Sequence, residues 1–208
     1  MPLLPVMLDL TGRTVVIIGG GQVALRRATS MLDAGADITV IAPHIDPKLN
    51  ALNLRTEARA YRHGDLNHAD LVVIASNNPD VNQAAAREAA DRSILINRTD
   101  APDQGNVMIP AHRTDGPITL AVYTGTGPRA AAAIRDQLFD ALDPDCRRLL
   151  ETIEPYRREA RDRIHDPARR KHAMERMTGD DAMQTLKSQG ARALQDLCRE
   201  ALADHEER

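Results

Sequence analysis

The sequence predicts an α/β fold: a doubly wound parallel sheet, followed by a small α+β module and a helical C-terminal region. Three observations predict it. Short apolar runs rich in β-branched residues recur at residues 14–18, 37–41, 71–75 and 94–97. Segments of helical pattern lie between them, over residues 23–34 and 80–92. The first apolar run breaks into glycines immediately before the first of these helices. Alternation of this kind makes parallel strands with helices packed on both faces.

The first strand, Thr14-Val15-Val16-Ile17-Ile18, has no polar side to solvate, which suits a strand covered on both faces. It runs into Gly19-Gly20-Gly21-Gln22-Val23-Ala24. Gly19-x-Gly21-x-x-Ala24 is the dinucleotide form of a strand-to-helix turn. The first glycine bends the chain, the second lets a pyrophosphate approach the backbone, and the small third residue lets helix and strand pack closely. Tight turns use the same residues for structural reasons alone; the strand before and the helix after favour a nucleotide. Gly35-Ala36 ends that helix, and the next strand closes on Ile41-Ala42-Pro43-His44. An acid expected near that strand end for the ribose hydroxyls is missing, the next being Asp46. The ribose contact is therefore expected from main chain, from His44 or from another group.

Ligands on such Rossmann-like sheets bind outside the carboxyl ends of the strands. Gly19, Gly20, Gly21, Gln22, Val23, Ala24, Pro43 and His44 are expected there, joined by Ser76, Asn77 and Asn78 after the strand at 71–75. Turn chemistry and helix capping would also explain the two asparagines. Asn97-Arg98-Thr99-Asp100 follows the strand at 94–97 and converges on the same edge. Residues 101–105 read as loop, 106–109 and 118–123 as strands, and 128–142 as a helix. The expected organisation is a nucleotide-binding domain over residues 1–110, a small module over 111–144 and a helical region over 145–208. In the last of these, arginines from Arg147 to Arg170 are matched by Glu151, Glu154, Glu159 and Asp162 at helical spacing, as on solvated helix faces. An anionic ligand is the functional alternative for that run.

Composition narrows the function classes. A net charge of −3 gives no global reason for nucleic acid or a membrane surface. One Phe, three Tyr and no Trp leave few platforms for stacking bases. No basic leader, signal core or membrane-length apolar run is evident, so a cytoplasmic location is expected. Cys146 and Cys198 are too few and too far apart for a zinc cluster or redox pair, and the seven histidines show no ligand-like spacing; no resident metal is expected.

The opening Met1-Pro2-Leu3-Leu4-Pro5 and Leu8-Asp9-Leu10, the glycine turn with Arg26-Arg27, Ala34-Gly35-Ala36, Ala42-Pro43, Val81-Asn82, Asn97 with Asp100, Pro110-Ala111 and Thr124-Gly125 with Pro128 together resemble the precorrin-2 dehydrogenase family. That family comprises stand-alone sirohaem-pathway enzymes and the N-terminal half of fused sirohaem synthases. The likeness runs in order over residues 1–140. It implies NAD-dependent oxidation of precorrin-2 to sirohydrochlorin on a homodimer, with the second region supplying the dimer contacts. Some members also insert ferrous iron to give sirohaem. The family's essential aspartate, in an Asn-x-x-Asp setting, falls on Asp100. The chain departs from the family where Asn77-Asn78 replace an acidic pair and where Arg98-Thr99 replace apolar residues.

Precorrin-2 carries eight carboxylates, so its pocket calls for cations. Arg98, Arg113, Arg129 and Arg135 are candidates for them, and Thr124 for a further substrate contact. Asp100 would serve as general base provided burial raised its pKa, or would hold the tetrapyrrole nitrogens; an Asx-turn ahead of Pro102 would also explain it. Two further readings fit: a non-catalytic NAD-sensing domain, and an NAD-dependent dehydrogenase of another, smaller metabolite.

Overall fold

The computed structural model describes residues 3–125 and 127–204; Met1, Pro2, Thr126 and residues 205–208 lie outside the described residues. The chain divides into two compact units, Met1–Ile109 and Pro110–Arg208.

In the first unit, β1 (Thr14–Ile18), β2 (Asp37–Ile41), β3 (Arg55–Glu57), β4 (Leu71–Ile74) and β5 (Leu95–Arg98) form a parallel sheet in the order β3-β2-β1-β4-β5. Helices α1 (Gln22–Asp33), α2 (Pro47–Asn50) and α3 (Pro79–Asp91) connect them, and a single 3₁₀ turn follows at Pro102–Gln104. Because successive side chains of a strand point to opposite faces, the β-branched runs fill two cores at once. Val15, Ile17, Ile38, Val40 and Val73 pack with Ala24, Ala28 and Met31 of α1. Val16, Ile18, Ile41, Val72 and Ile74 pack with Ala85, Ala86 and Ala89 of α3. Alanine on both helices lets each lie close to the sheet.

Two elements depart from the sequence expectation. Strand β3 was not foreseen: its Arg-Thr-Glu is exposed at every position, because an edge strand needs no apolar pattern. Residues 106–109, expected as a strand, form none. Instead they clamp the end of β5: the N–H groups of Asn106 and Val107 donate to the Ile96 carbonyl at 3.0 Å, and Asn97 Nδ2 donates to the Val107 carbonyl at 2.8 Å. The apolar spacing there reflects Val107 and Ile109 packing on the core.

In the second unit the hairpin is β6 (Ala111–Asp115) with β7 (Ile118–Val122), turning at Gly116, whose φ is +55°. Four of the five β6 residues are exposed, which hid the strand from an apolar pattern. Helix α4 (Pro128–Asp140) packs against the hairpin. Then α5 (Pro144–Arg163), α6 (Pro167–Thr178), α7 (Asp180–Gln189) and α8 (Ala191–Ala203) close around Ile153, Met177, Leu186, Leu194 and Cys198. Asp143-Pro144 and Asp166-Pro167 start two of these helices, the aspartate accepting a first-turn N–H and the proline fitting the N1 position. Much of the basic run pairs along its own helices, as in Arg163–Glu159, Arg148–Asp145 at 2.8 Å and Lys171–Glu175 at 3.7 Å, while Arg147 also pairs with Asp115 of β6. Burial pushes the Cys198 thiol up to about 11, away from the thiolate form, and Cys146 is half-buried. Among the described residues no helix is long and apolar enough to cross a membrane.

One buried acid shapes the loop that follows β3. Glu88 of α3, with 1% of its side chain exposed, accepts the Tyr61 hydroxyl and the Gly64 N–H, and it pairs with Arg92 at 3.2 Å and His63 at 3.3 Å. Burial acts to raise its pKa, but the Tyr61 and Gly64 hydrogen bonds and the two bases outweigh it, and the carboxyl titrates below its ordinary value.

Two outcomes are expected. Ile153→Ala, which empties a fully buried site in the helical core, should lower unfolding free energy by about 2–5 kcal/mol in urea denaturation. The Glu88 carboxylate stabilises the fold above its ordinary titration range, and that contribution is lost as pH falls through the lowered native value. Stability measured against pH should therefore fall less steeply below about pH 5 in Glu88→Gln than in the native chain.

Candidate functional site

The site begins where β1 runs out of side chains. Gly19 has φ +126°, and a Cβ there would stand 2.4 Å from the Ala75 carbonyl oxygen. A Cβ on Gly20 would stand 2.1 Å from the His44 carbonyl oxygen. The turn is thus pressed between the ends of β4 and β2, and the Asp46 N–H donates to the Gly20 carbonyl at 2.8 Å to hold it. Gly21 is different: a Cβ on it would meet nothing within 4 Å. It lines a cleft of about 790 Å³ bounded by the glycine turn, by 41–46 and by 75–78.

The cleft's charge preference comes from α1. Gly21 is its N-cap, no side chain accepts its first N–H groups, and no acid sits in the first turn. The N-terminal N–H groups of the helix therefore have no partner within it, and with the helix dipole they favour an anion. Open space at Gly21 beside these donors fits the pyrophosphate of a dinucleotide. Of the expected cofactor residues, Gly19, Gly20, Gly21, Gln22, Val23, Pro43, His44, Ser76, Asn77 and Asn78 all line this cleft. Ala24 does not; it is fully buried beneath the turn, where its small side chain allows close packing of α1 on the sheet. Asn78 also caps α3, its Oδ1 accepting from Asp80 and Val81.

Asp100 lies outside the cleft lining but is joined to it. Ser76 Oγ donates to Asn82 Oδ1 at 2.6 Å, and Asn82 Nδ2 donates to the Ser76 carbonyl at 2.9 Å and to Asp100 Oδ2 at 3.0 Å. Arg98 grips the same carboxylate from the other side, Nη2 to Oδ2 at 2.6 Å and Nε to Oδ1 at 3.1 Å. The pKa condition attached to a general-base role runs the other way here. The Arg98 hydrogen bonds, against burial and with help from Asn82, push Asp100 down to about 2.

The four cations differ in setting. Arg98 is 5% exposed and committed to Asp100, Gln83 and Gln104. The others belong to the second unit. Arg113 pairs with Asp140 at 3.0 Å and lies over the Phe139 ring, 4.2 Å from its centroid. Arg135 is spread over Asp136 and the His112 carbonyl. Arg129 is exposed in the first turn of α4, and Thr124 Oγ1 reaches the Gly127 carbonyl at 3.5 Å.

Sequence reasoning missed three members of this region. Asp46, the next acid after the end of β2, lines the cleft and accepts Gln22 Nε2 at 2.7 Å. Tyr61 lines it from the loop held by Glu88, with no local motif to mark it. Asn82, 2% exposed, couples Ser76 to Asp100. A buried asparagine in the alanine-rich face of α3 was the available signal, since buried polar groups need partners. Among the described residues no group of three or more His, Cys, Asp or Glu is placed to hold a metal ion.

Residues 6–111 match a family described as "Putative NAD(P)-binding". Siroheme synthase 1 of Aeromonas hydrophila is 33% identical over 98% of this chain and 44% of its own. The chain spans less than half the length of the curated siroheme synthases it matches. The precorrin-2 dehydrogenase of Priestia megaterium is 34% identical over 66% of this chain and 70% of its own. A solved structure titled "SirC, precorrin-2 dehydrogenase" superposes with a TM-score of 0.78 at 26% identity, covering 95% of this chain and 100% of that one. With the glycine turn, its cleft and the doubly wound sheet in place, these likenesses make the chain a member of the precorrin-2 dehydrogenase family.

Proposed function

We propose that this chain oxidises precorrin-2 to sirohydrochlorin with NAD as hydride acceptor. The observation that carries the reading is the hydrogen-bonded path from Ser76, in the wall of the dinucleotide cleft, through Asn82 to the ionised Asp100. It sets a fixed carboxylate beside the cofactor edge. The precorrin-2 dehydrogenase of Priestia megaterium and the solved structure of the same title support the reading.

In this reading NAD, when bound, supplies the hydride acceptor. The first-turn N–H groups of α1 would hold its pyrophosphate, and Gly21 leaves room for that contact. Asp46, which lines the cleft, would take the ribose hydroxyls that the end of β2 leaves without an acid. Arg113, Arg129 and Thr124 are candidate substrate contacts, and Asp100 is the candidate catalytic residue. The working unit is a homodimer in the cytoplasm. Its dimer contacts come from the module of β6, β7 and α4, where Ile134, Leu138 and Leu142 leave an exposed apolar stripe and only Ala131 and Phe139 of α4 are buried. Insertion of ferrous iron into the product is the second activity to test.

An anaerobic assay with intact precorrin-2 and NAD should show NADH and the sirohydrochlorin spectrum rising together; NAD binding without either would transfer the reading to a nucleotide sensor. Addition of ferrous iron then asks for the sirohaem spectrum. Gly21→Ala, whose methyl enters open space, should fold with a thermal midpoint near that of the native chain yet bind NAD at least about tenfold more weakly, a loss of about 1.4 kcal/mol. Unchanged affinity in titration calorimetry would remove the pyrophosphate from this turn. Asp100→Ala should retain NAD affinity and lose turnover.

A further inference from the structure

Arg98 and Asp100 present an unusual pairing at the sheet edge. The guanidinium is 5% exposed, while the Asp100 side chain is 31% exposed. All three Arg98 nitrogens are engaged: Nε and Nη2 on the two Asp100 oxygens, and Nη1 on Gln104 Oε1 at 2.9 Å and Gln83 Oε1 at 3.3 Å. Thr99, between the two residues, is pinned to the Ile74 carbonyl by both its N–H at 3.0 Å and its hydroxyl at 3.1 Å. The guanidinium therefore has a fixed seat, built by β5, α3 and the 3₁₀ turn, and its fork points two donors at one carboxylate. Asn82 adds a third donor. The charged and polar groups facing this pair are Asn82 and Gln83 from α3, and Asp103 and Gln104 from the 3₁₀ turn; of these only Asp103 titrates, and it reinforces the Arg98 charge.

We propose that Arg98 is a positioning residue that holds Asp100 as a permanent anion. Asp100 then meets the tetrapyrrole as a fixed charge and hydrogen-bond acceptor for its N–H groups, not as a proton acceptor. The inference rests on the proposed function for the identity of the substrate. A general base works best with a pKa near the working pH. A carboxyl that the Arg98 fork and Asn82 hold well below its ordinary value is ionised throughout the working range but is a weak base, so it takes up a proton poorly. The same grip suits electrostatic stabilisation. In the proposed oxidation a tetrapyrrole C–H bond breaks and its electron pair leaves with the hydrogen as hydride to the nicotinamide. The macrocycle gains one positive charge until it gives a proton to solvent. A carboxylate already ionised and already oriented favours that charge as it develops and pays no reorganisation cost.

The test starts with the native full-length chain labelled with ¹³C at aspartate carboxyls, Asp100→Asn assigning the Asp100 resonance. Asp100 should stay ionised at pH 3.9, where an ordinary aspartate is about half protonated. In Arg98→Met its midpoint should rise by about one unit or more. Arg98→Lys, which keeps the charge but lacks the fork, should fall between the two. In anaerobic turnover, kcat/KM of the native enzyme should show no acid-side inflection beyond those of the substrate's own carboxylates, Arg98→Met should gain one at the raised midpoint of Asp100, and Asp100→Asn should be slow at every pH. A native Asp100 midpoint at or above the ordinary value, or a native rate that follows an Asp100 inflection between pH 5 and 7, overturns the proposal. If the native chain forms no NADH from precorrin-2, the proposed function fails, and the resonance still decides whether Arg98 holds the anion.

Discussion

The close approach of backbone to backbone at Gly19 and Gly20 is the constraint on which the site depends. There is no room for a side chain between the glycine turn and the carbonyls of Ala75 and His44, so the ends of β1, β2 and β4 lie against one another with main chain alone between them. That contact brings the N-terminus of α1 to the cleft, and it leaves Gly21 as the one glycine of the three with open space in front of it. Anion preference and room for a phosphate therefore come from the same few residues. No charged side chain is needed to create either.

The other edge of the site is built by an opposite strategy. Around Asp100, side chains carry the contacts: Ser76, Asn82, Arg98, Gln83 and Gln104 form a connected polar network in which the buried members have assigned partners. Such networks are worth having only when they are complete, because an unpartnered buried polar group is costly. Arg98 is the member that makes this one electrically balanced, since its charge offsets that of Asp100. The arginine thus belongs to the carboxylate before it belongs to any substrate, and an incoming carboxylate would have to displace Asp100 to reach it.

Most of the sheet was legible in the sequence because its strands are buried on both faces, and β-branched runs such as Leu71-Val72-Val73-Ile74 have no other economical use. The glycine turn and most of the cleft-lining residues were legible for the same reason: they are local in sequence. What escaped was non-local or exposed. Strand β3 and strand β6 carry polar residues because solvent faces them. Val107 and Ile109 carry apolar spacing without a ladder because they fasten β5 from its side. The pKa of Asp100 could not be read from its neighbours in the chain, since its direction depends on where the Arg98 fork points and on Asn82, eighteen positions away.

The hydrogen-bond polarity of Asn82 has one more consequence. Both donor hydrogens of its amide are committed, one to the Ser76 carbonyl and one to Asp100, which leaves its Oδ1 to receive the hydroxyl of Ser76. The Ser76 proton is therefore turned away from the cleft and into the protein. Its oxygen also accepts the Asn78 N–H at 3.1 Å. A hydroxyl usually adapts to whatever meets it, but this one has its proton engaged inside the protein and is less free to turn. The cleft thus has free donors at the helix end and, at Ser76, a hydroxyl whose proton is already engaged, so its two ends do not offer a ligand the same hydrogen bonds.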